Sequence, residues 1–520
     1  MKTLNILTTG AFATLLLLGS CTKDVDNPNS PGGGGEGGVV EGIPTYATVS
    51  LSQGTGAGTY AGAADYVNGD SPASEAEKKI TDAVVLVFNS DDILENYVTL
   101  DVVTEGEAQN QKTVAKKTFA TTTGKKRLYA LANLGDYSKI EAIFNGQTAA
   151  NKKLSNVCKV IQQITDISGA TTDNKFWMSN VYKLGATIED QVTVQKGDEK
   201  TNNFTIYIGR MVSKVKPTFA DNLVINSGDG TIEIKDEHDA VVAEYRVRNN
   251  PKRFYTFPVY EGVQLVSPYY NKAYNPIDGT GVYPDALGAA DFFDNGHDVD
   301  GNHTFVKAAT DSYLTENSPK EAKRHKVTFL SIKAKWTPNA NALLLDADGS
   351  IADDAAATLK KITDAADAVP AGNGGTFYRV QKWQGGKIVG YCPGIYAETP
   401  TKWTDVGGTP GNGAGALNAA VADRNAAKAS ADACYLIVKY DQGMAYWAYW
   451  MRSRLDGTIA EKYALKRNNH YKVNIISVDG VGEPTEDDNL DKDEDLEADA
   501  SMKATIEVLN WNVVDIEGGI

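Results

Sequence analysis

The sequence predicts an all-β protein with a few inserted helices, arranged as β-sandwiches in two or more domains. Many short segments alternate apolar and polar residues with a period of two, the pattern of a strand with one buried face. Glycine and tyrosine are abundant (49 and 25 residues) and methionine is scarce (6 residues), as suits a β-rich extracellular protein. The chain has 520 residues, which is more than one hydrophobic core usually supports.

The N-terminus predicts an export signal rather than a folded element. Its apolar core, residues 11–18, is too short to span a bilayer permanently. Residues 18–21 read Leu-Gly-Ser-Cys and resemble the lipobox of bacterial lipoproteins, in which the cysteine thiol accepts diacylglycerol. We predict a signal peptide over residues 1–20 and lipidation of Cys21. The alternative is an ordinary signal peptide followed by a chance cysteine.

A flexible linker and the first predicted domain follow. Residues 21–43 are rich in Gly, Pro and Asn, which predicts a flexible linker. Residues 80–88, Ile-Thr-Asp-Ala-Val-Val-Leu-Val-Phe, predict a buried strand, and the Gly- and Ala-rich residues 54–69 predict a loop. The predicted strands of this half are 46–51, 80–88, 97–103, 113–119, 126–134, 176–179, 192–195 and 204–215, and the predicted helices are 139–144 and 154–164.

The second half repeats this style. The Tyr-, Pro-, Asn- and Gly-rich residues 249–294 predict a long surface insertion. Two Ala-rich stretches, 351–368 and 416–433, are helical by propensity. The predicted strands are 223–225, 231–234, 241–247, 325–336, 377–380, 388–391, 435–440, 445–451 and 470–478.

The last stretch, residues 501–520, predicts a strong strand with a change of phase. Its apolar residues first fall at even positions, then at odd positions, and then at even positions again, which indicates a bulged strand or two short strands in series. Residues 483–499 contain ten acidic residues and one Lys, so this segment is expected to be solvated and extended. Such a strand could close its own sheet or pair with the open edge of another molecule. Its apolar residues are Met502, Ala504, Ile506, Val508, Leu509, Trp511, Val513, Val514 and Ile516.

Charge and motifs exclude several classes of function. The formal net charge of −16 argues against a nucleic-acid partner. The sequence contains no P-loop, G-x-S-x-G, H-E-x-x-H or C-x-x-C motif, so we predict no enzymatic activity and no cofactor. Residues 294–303 contain a D-x-D-G core, but Gly296 and Lys307 occupy the first and last ligand positions of a calcium loop. We therefore predict a polar loop and no metal site. Loose calcium binding by the acidic segments stays open.

Two residue groups allow more than one interpretation. The aromatic cluster Tyr446, Trp447, Tyr449 and Trp450 could stack on sugars, but core packing is the favoured interpretation. An odd number of cysteines follows Cys21, so full pairing is impossible. Cys392 and Cys434 could form a disulfide, but buried free thiols are favoured.

Several segments in the same order resemble the major fimbrillins of type V pili, specifically the Mfa-type fimbria major subunit within the FimA-like group. The most specific pieces are the Arg-Asn-Asn-His-Tyr strand, the acidic linker and the Trp511-containing tail. The segments that carry the resemblance are the lipobox at Cys21 and residues 127–134, 209–215, 327–338, 448–450, 467–475 and 501–513.

The resemblance implies two tandem transthyretin-like β-sandwich domains, 44–215 and 216–480, then an acidic linker over 481–500 and a donor strand over 501–520. It implies export as a lipoprotein anchored in outer-membrane lipid through Cys21. A protease then removes the first strand, and the C-terminal strand of an identical neighbour fills the groove. The partners implied are further copies of this chain and accessory tip and anchor proteins in an adhesive surface fimbria. The residues assigned to the displaced first strand are Tyr46, Thr48, Ser50 and Leu51.

The chain departs from the family where the cut is expected. The best-known members are cut after an arginine, but here the first arginine is Arg127, inside a predicted core strand. A cut is therefore expected either after Lys78 or Lys79 or within residues 53–77, with a slight preference for the Gly-rich loop. Two rival functions remain: a tip or anchor subunit that keeps its first strand, and a surface glycan-binding lipoprotein.

Overall fold

The computed structural model confirms the all-β fold with few helices. Strands dominate the described part of the chain, and every helix there is nine residues or shorter. The structure describes residues 39–53, 70–105, 112–146, 148–149, 151–154, 157, 175–180, 191–197, 201–226, 229–251, 254, 256–258, 260–261, 264–265, 267, 305–318, 324, 326–364, 372, 374–403, 420–454, 457–493, 496 and 502–512.

A large sheet organises the N-terminal part of the chain, in the order β4-β3-β7-β8-β10-β1-β6-β5, with β9 also paired to β7. β1 runs antiparallel to β6 and parallel to β10. The first strand of the chain therefore lies inside the sheet and not at its edge. The strands are β1 (Pro44–Gln53), β3 (Ala83–Phe88), β4 (Leu94–Thr99), β5 (Asp101–Glu105), β6 (Lys112–Thr122), β7 (Gly124–Ala132), β8 (Met178–Asn180), β9 (Gln191–Val194) and β10 (Asn203–Arg210).

The C-terminal part contains three five-stranded sheets. Their orders are β17-β11-β25-β26-β2, then β12-β18-β13-β16 with β24 on β18, and β19-β22-β20-β21 with β23 on β20. A two-stranded pair, β14-β15, stands apart from them. The strands are β2 (Asp70–Pro72), β11 (Ser213–Asn226), β12 (Gly230–Glu233), β13 (Glu244–Arg248), β14 (Tyr260–Glu261), β15 (Gln264–Leu265), β16 (Val306–Lys307), β17 (Ser312–Leu314), β18 (Phe329–Pro338), β19 (Leu344–Leu345), β20 (Phe377–Gln384), β21 (Lys387–Tyr391), β22 (Ile395–Tyr396), β23 (Cys434–Tyr440), β24 (Met444–Trp450), β25 (Asn469–Asp479) and β26 (Met502–Asn512).

The helices are short and lie between strands. Side chains cap the N-termini of several of them: the Asp354 carboxylate accepts from the amide of Ala357, and that of Asp423 accepts from the amide of Ala426. The Ala-rich predictions 351–368 and 416–433 hold in the middle of each range. Most of the predicted helix 154–164 lies outside the described residues. The helices are α1 (Glu75–Lys78), α2 (Ser138–Gly146), α3 (Ala355–Thr363), α4 (Arg424–Ala429), α5 (Ile459–Lys462) and α6 (Asp488–Asp491), with a 3-10 turn at Asp441–Gly443.

Buried apolar residues form two main clusters. The six residues of β3, Ala-Val-Val-Leu-Val-Phe, are all buried, which explains why this strand reads as a continuous apolar run. They belong to the N-terminal cluster. Trp336, Trp383 and Trp447 belong to the C-terminal cluster, and each is at most 1% exposed.

Two segments predicted as one strand each are in fact two strands. Residues 204–215 divide into β10 and β11, and the break falls at Met211 and Val212, which are fully buried. Residues 97–103 divide into β4 and β5 at the buried Leu100. Because apolar residues continue through both breaks, periodicity could not locate them.

The predicted surface insertion 249–294 is wrong at its start. Phe254 and Phe257 are 2% and 1% exposed and belong to the N-terminal core. The Phe257 ring meets that of Tyr129 edge to face, with centroids 5.3 Å apart. The composition resembles a loop, but these two phenylalanines fill a core. Residues 268–294 lie outside the described part.

Candidate functional site

The C-terminal strand is one continuous strand in this structure. β26 pairs antiparallel with β25, from Met502 opposite Val478 to Asn510 opposite Asn469. The one register shift lies between Ile475 and Ser477 of β25, not at the change of phase in β26. Over residues 502–512 the expectation of a bulged strand or two short strands in series is therefore wrong, and the second change of phase lies outside the described residues.

The change of phase reflects which face of β26 is covered. Met502 is 5% exposed, and Ala504 and Ile506 pack beside it against the C-terminal core. Leu509 has the opposite parity, so its side chain leaves the other face of the strand, yet it is 4% exposed. It stands opposite His470, which is also buried. The strand thus buries one face at its start and the other face near its end.

A short strand from the N-terminal part of the chain lies against the end of the tail. β2 pairs in parallel with β26, joining Asp70–Pro72 to residues 510–512. Along residues 502–509 no described strand pairs with that side of β26. Most of this edge therefore has no strand partner within the described part of the chain.

α1 fixes β2 in place. Ser74 and Glu77 form a capping box at the start of α1. The Glu77 carboxylate, 4% exposed, accepts from Lys214 Nζ at 3.3 Å and from the Tyr313 hydroxyl at 3.2 Å. The backbone oxygen of Glu77 accepts from Arg210 Nε at 3.0 Å. Burial raises the pKa of Tyr313, and the Glu77 carboxylate raises it further.

Over residues 483–491 the acidic segment is buried against the rest of the chain, which contradicts the expectation that this part is solvated and extended. Glu483, Glu486, Asp488 and Asp491 are at most 8% exposed. A segment with this composition can be buried because cationic side chains meet it.

Glu486 and Asp487 lie between three arginines. The Glu486 carboxylate pairs with Arg246 and, at 2.9 Å, with Arg248. Asp487 accepts from Arg248 and Arg424, at 2.9 Å each. Burial alone would raise the pKa of Asp487, but these guanidinium partners hold it below its ordinary value.

The network continues to the end of α6. Asp491 accepts from Arg424 Nε at 2.7 Å and lies 3.1 Å from Lys428 Nζ. Burial, with the nearby charge of Glu483, raises the pKa of Asp488 to about 6. Leu496, 3% exposed, then packs in a cluster with Trp450. We call residues 483–491 with these cationic partners the acidic clamp.

The sequence contained a signal for this clamp that was missed. Arg246 and Arg248 are two apart on a strand, and Arg424 and Lys428 are four apart on a helix. Each spacing places two cations on one face. Two like-charged faces are a reason to search the chain for an acidic counterpart.

The residues of β1 divide between two faces. Tyr46 is 55% exposed, and Thr48 and Ser50 are partly exposed beside it. The core is filled by Thr45, Ala47, Val49 and Leu51, which are all buried. Of the residues predicted for the displaced first strand, Leu51 alone faces inward, and the buried Ala47 and Val49 were missed.

The other predicted site residues are placed only in part. Lys78 ends α1 and Lys79 is its exposed C-cap. The strand positions of Val508 and Trp511 are described without their side chains. Cys21, residues 54–69, Val513, Val514 and Ile516 lie outside the described residues.

Three of the four aromatic residues of this cluster are core, as favoured from the sequence, and Tyr446 is half-buried. Trp447, Tyr449 and Trp450 are 0%, 6% and 3% exposed. The Trp447 indole donates to the backbone oxygen of Asp479 at 3.3 Å. Gly482 lies so close to this indole that a Cβ there would stand 2.7 Å from Cε2. These rings offer no open face to a sugar.

The remaining expectations concern thiols, metals and membranes. Cys392 and Cys434 are buried thiols that are not joined by a disulfide, which confirms the favoured interpretation. Within the described residues, no three His, Cys, Asp or Glu side chains are grouped as metal ligands. The loop 294–303 lies outside that part. Among the described helices, none has the length and apolar character needed to cross a membrane.

Two family models match this chain, one near each end. The major fimbrial subunit protein (FimA) model matches residues 47–234, and the model of the C-terminal part of fimbrillin, major fimbrial subunit protein type IV, matches residues 438–517. The first match contains most of β1, and the second contains β26. None of the curated proteins matches the sequence.

Solved structures of low sequence identity are also similar. A fimbrilin (FimA) from Porphyromonas gingivalis has 14% identity and a TM-score of 0.39, over 90% of this chain and 98% of that one. The tip fimbrial protein Mfa3 of the same organism, truncated at its C-terminus, has 10% identity and a TM-score of 0.35, over 90% of this chain and 100% of that one.

Proposed function

We propose that this chain, a structural subunit of a cell-surface fimbria of the FimA-like group, polymerises by strand exchange. In this proposal the C-terminal strand of one subunit takes the place of β1 in the next. The position of β1 carries the proposal. β1 lies between β6 and β10, so its removal would leave two strand edges unpaired and uncover the core around Val49. A donated strand would satisfy both needs.

The tail has the residue pattern that such a groove requires. β1 buries four small or apolar residues at every second position, and the first part of the tail repeats that spacing. If the whole tail buries six or seven of its apolar side chains in the groove, that burial contributes on the order of 10 kcal/mol at ~25 cal/mol per Å2, before the cost of ordering the chain. The residues are Thr45, Ala47, Val49 and Leu51 in β1 and Met502, Ala504, Ile506 and Val508 in the tail.

The acidic clamp sets the reach of the tail. We propose that the clamp stays on its own subunit during exchange, because its carboxylates are buried against arginines. Five residues then separate the buried Leu496 from Met502. An extended chain advances at most about 3.5 Å per residue, so the six steps from Leu496 to Met502 span at most about 21 Å. The neighbouring subunit would therefore dock close to the clamp.

Export and processing precede assembly in this proposal. Cys21 carries a lipid that holds the precursor in the outer membrane, and a protease later removes β1. Cys21→Ala should then abolish surface fibres and the lipid mass on the membrane-extracted precursor. Normal fibres from this variant would contradict lipidation as a step in assembly.

The test of strand exchange mixes two incomplete subunits. Processed chains lacking residues 502–520 can accept but not donate, and unprocessed full-length chains cannot accept but keep a tail that the open groove of a processed chain can displace from its own subunit. Each should remain monomeric alone, and the mixture should form one-to-one dimers that do not grow. A peptide of residues 502–520 should bind processed subunits and block fibre growth.

Two results would contradict the proposal. Fibres formed by chains without residues 502–520 would exclude the tail as donor. Truncated chains that unfold, and that refold when the peptide binds beside β25 where the tail lies in the intact chain, would identify a self-closing last strand. An anchor subunit would instead retain its N-terminal strand when isolated from fibres.

A further inference from the structure

The tail is restrained by residues 70–79, which follow β1 in the sequence and precede β3. β26 pairs with β25 along one side. On its other side the described strand that pairs with it is β2, which meets residues 510–512. A three-residue parallel pairing is weak by itself. The stability of the pairing between β2 and β26 therefore depends on how the residues after β2 are held.

Residues 73–80 are anchored in the core and by a buried charge. Ala73 and Ile80 are 5% and 3% exposed and belong to the N-terminal core cluster. Between them, the Glu77 carboxylate meets Lys214, which is 4% exposed. A buried carboxylate and ammonium that meet each other are costly to separate, because each would lose its compensating charge.

The buried pair of Glu77 and Lys214 is connected to the tail through two neighbouring strands. Lys214 of β11 stands opposite His470 of β25, and His470 stands opposite Leu509 of β26. Glu77, Lys214, His470 and Leu509 are each at most 5% exposed. Loosening Glu77 therefore disturbs the buried layer on which the end of the tail lies.

The same segment is tied to β1. The side-chain amide of Gln53, the last residue of β1, donates to the backbone oxygen of Lys78. Residues 70–79 thus contact the strand expected to leave and the strand expected to be donated. The exposed Lys79 follows directly after α1.

We propose that residues 70–79 are an autoinhibitory clasp that holds the C-terminal strand on its own subunit until this segment is removed or displaced. The proposal rests on the proposed strand exchange for its biological meaning, while the clasp itself is a property of the monomer. Loss of the clasp would uncover the edge of β26 at residues 510–512 and release the tail for a neighbour.

Hydrogen exchange on the full-length monomer tests the clasp. Glu77→Gln keeps the size of the side chain but removes its charge. Amides of residues 502–512 should then exchange on the order of tenfold faster, because a charge-assisted contact of the anchor is lost. Ser74→Ala, which removes the capping box, should give a smaller acceleration in the same residues.

Glu95→Gln is the matched control. Glu95 also pairs with a buried lysine, Lys126, but it lies on β4 of the N-terminal sheet, which is not paired with β26. This variant should leave exchange in residues 502–512 unchanged. β18, in another sheet of the C-terminal part, should keep its slow exchange in all three variants and so report that the fold is intact.

Two outcomes would overturn the clasp: unchanged tail exchange in Glu77→Gln, or equal acceleration in β18 and β26. Failure of strand exchange is a separate result. Fibres from chains lacking residues 502–520 would remove the proposed function, while the exchange data on the monomer would still decide whether residues 70–79 restrain the tail.

Discussion

At the scale of single residues, buried charges join segments that are far apart in the sequence. Arg467 and Glu316 are each 1% exposed and form a bidentate pair with distances of 2.7 and 2.6 Å. Arg467 also donates to the backbone oxygen of Thr256 at 2.8 Å. The first residue of the Arg-Asn-Asn-His-Tyr segment thus holds two other segments in place.

Trp450→Ala should lower the free energy of unfolding by about 3–5 kcal/mol, because it leaves a large cavity in a buried cluster. The Trp450 ring lies 4.7 Å from that of Phe329, and Leu496 packs in the same cluster. Denaturant unfolding measures the loss. Tyr207→Ala, at a tyrosine that is 40% exposed, is the control and should change stability little. Unchanged stability of Trp450→Ala with loss of binding to a glycan array would instead support the sugar platform.

Asp488→Asn should change how stability depends on pH. The pKa of Asp488 is raised to about 6 in the folded protein, so its contribution to stability is full below the ordinary value of 3.8 and is lost as pH rises through about 6. Relative to wild type, the variant should therefore gain about 2 kcal/mol between about pH 4 and about pH 7. Denaturant titrations at the two pH values measure this difference. A constant difference would show that the carboxyl titrates normally.

At the scale of elements, the acidic clamp turns a segment with the composition of a linker into part of the fold. Burial of charge is tolerated because Glu486 lies against an arginine of β13 and Asp491 of α6 lies against an arginine of α4. The clamp also places Leu496 in its cluster, so the tail begins from a fixed point. In the proposed strand exchange, the starting point of the donated strand is therefore set by this contact.

Arg248→Ala should destabilise the clamp by about 3–5 kcal/mol, because Glu486 would keep its burial and lose a partner. Both side chains of that pair are at most 8% exposed. Proteolysis within residues 483–493 should become faster, and unfolding by denaturant should shift. The control is Lys117→Ala, whose pair with Asp101 is 40% and 62% exposed; it should cost about 0–1 kcal/mol. Equal effects of the two variants would contradict a structural role for the clamp.

At the scale of the whole molecule, the strand expected to leave and the strand expected to be donated occupy different sheets. β1 lies inside the N-terminal sheet, and β26 lies between β25 and the short β2 in a sheet of the C-terminal part. Residues 70–79 touch both. The proposed removal of the N-terminus would therefore act on the groove and on the tail through one stretch of chain.

Subunits taken from sheared fibres should begin between residues 54 and 80. A start at Ile80 would mean that the clasp left with β1, whereas a start before Asp70 would mean that the clasp remains and opens during exchange. N-terminal sequencing distinguishes these cases. A lipid-modified Cys21 at the start of polymerised subunits would contradict processing and favour an anchor role. Lys78→Gln with Lys79→Gln should block processing if the cut follows a lysine, and a loop variant without these changes is the control.

The sequence by itself determined the strands and the aromatic core. Period-two alternation located β1, β18, β23, β25 and β26 to within a few residues, since the side-chain periodicity of a strand is a local property. The aromatic run at Trp447 and Trp450 was correctly assigned to the core for a similar reason: adjacent aromatics in a strand are covered by neighbours on both faces.

Only the tertiary structure decided where the charged segments lie and what the tail touches. The acidic segment reads as solvated because its partners, Arg246 and Arg248, lie more than 200 residues away in the chain. The burial of Leu509 and the pairing of β2 with β26 also depend on contacts between distant segments. The cost of burying a charge or a strand edge is set by the groups that surround it, and the fold alone brings those groups together.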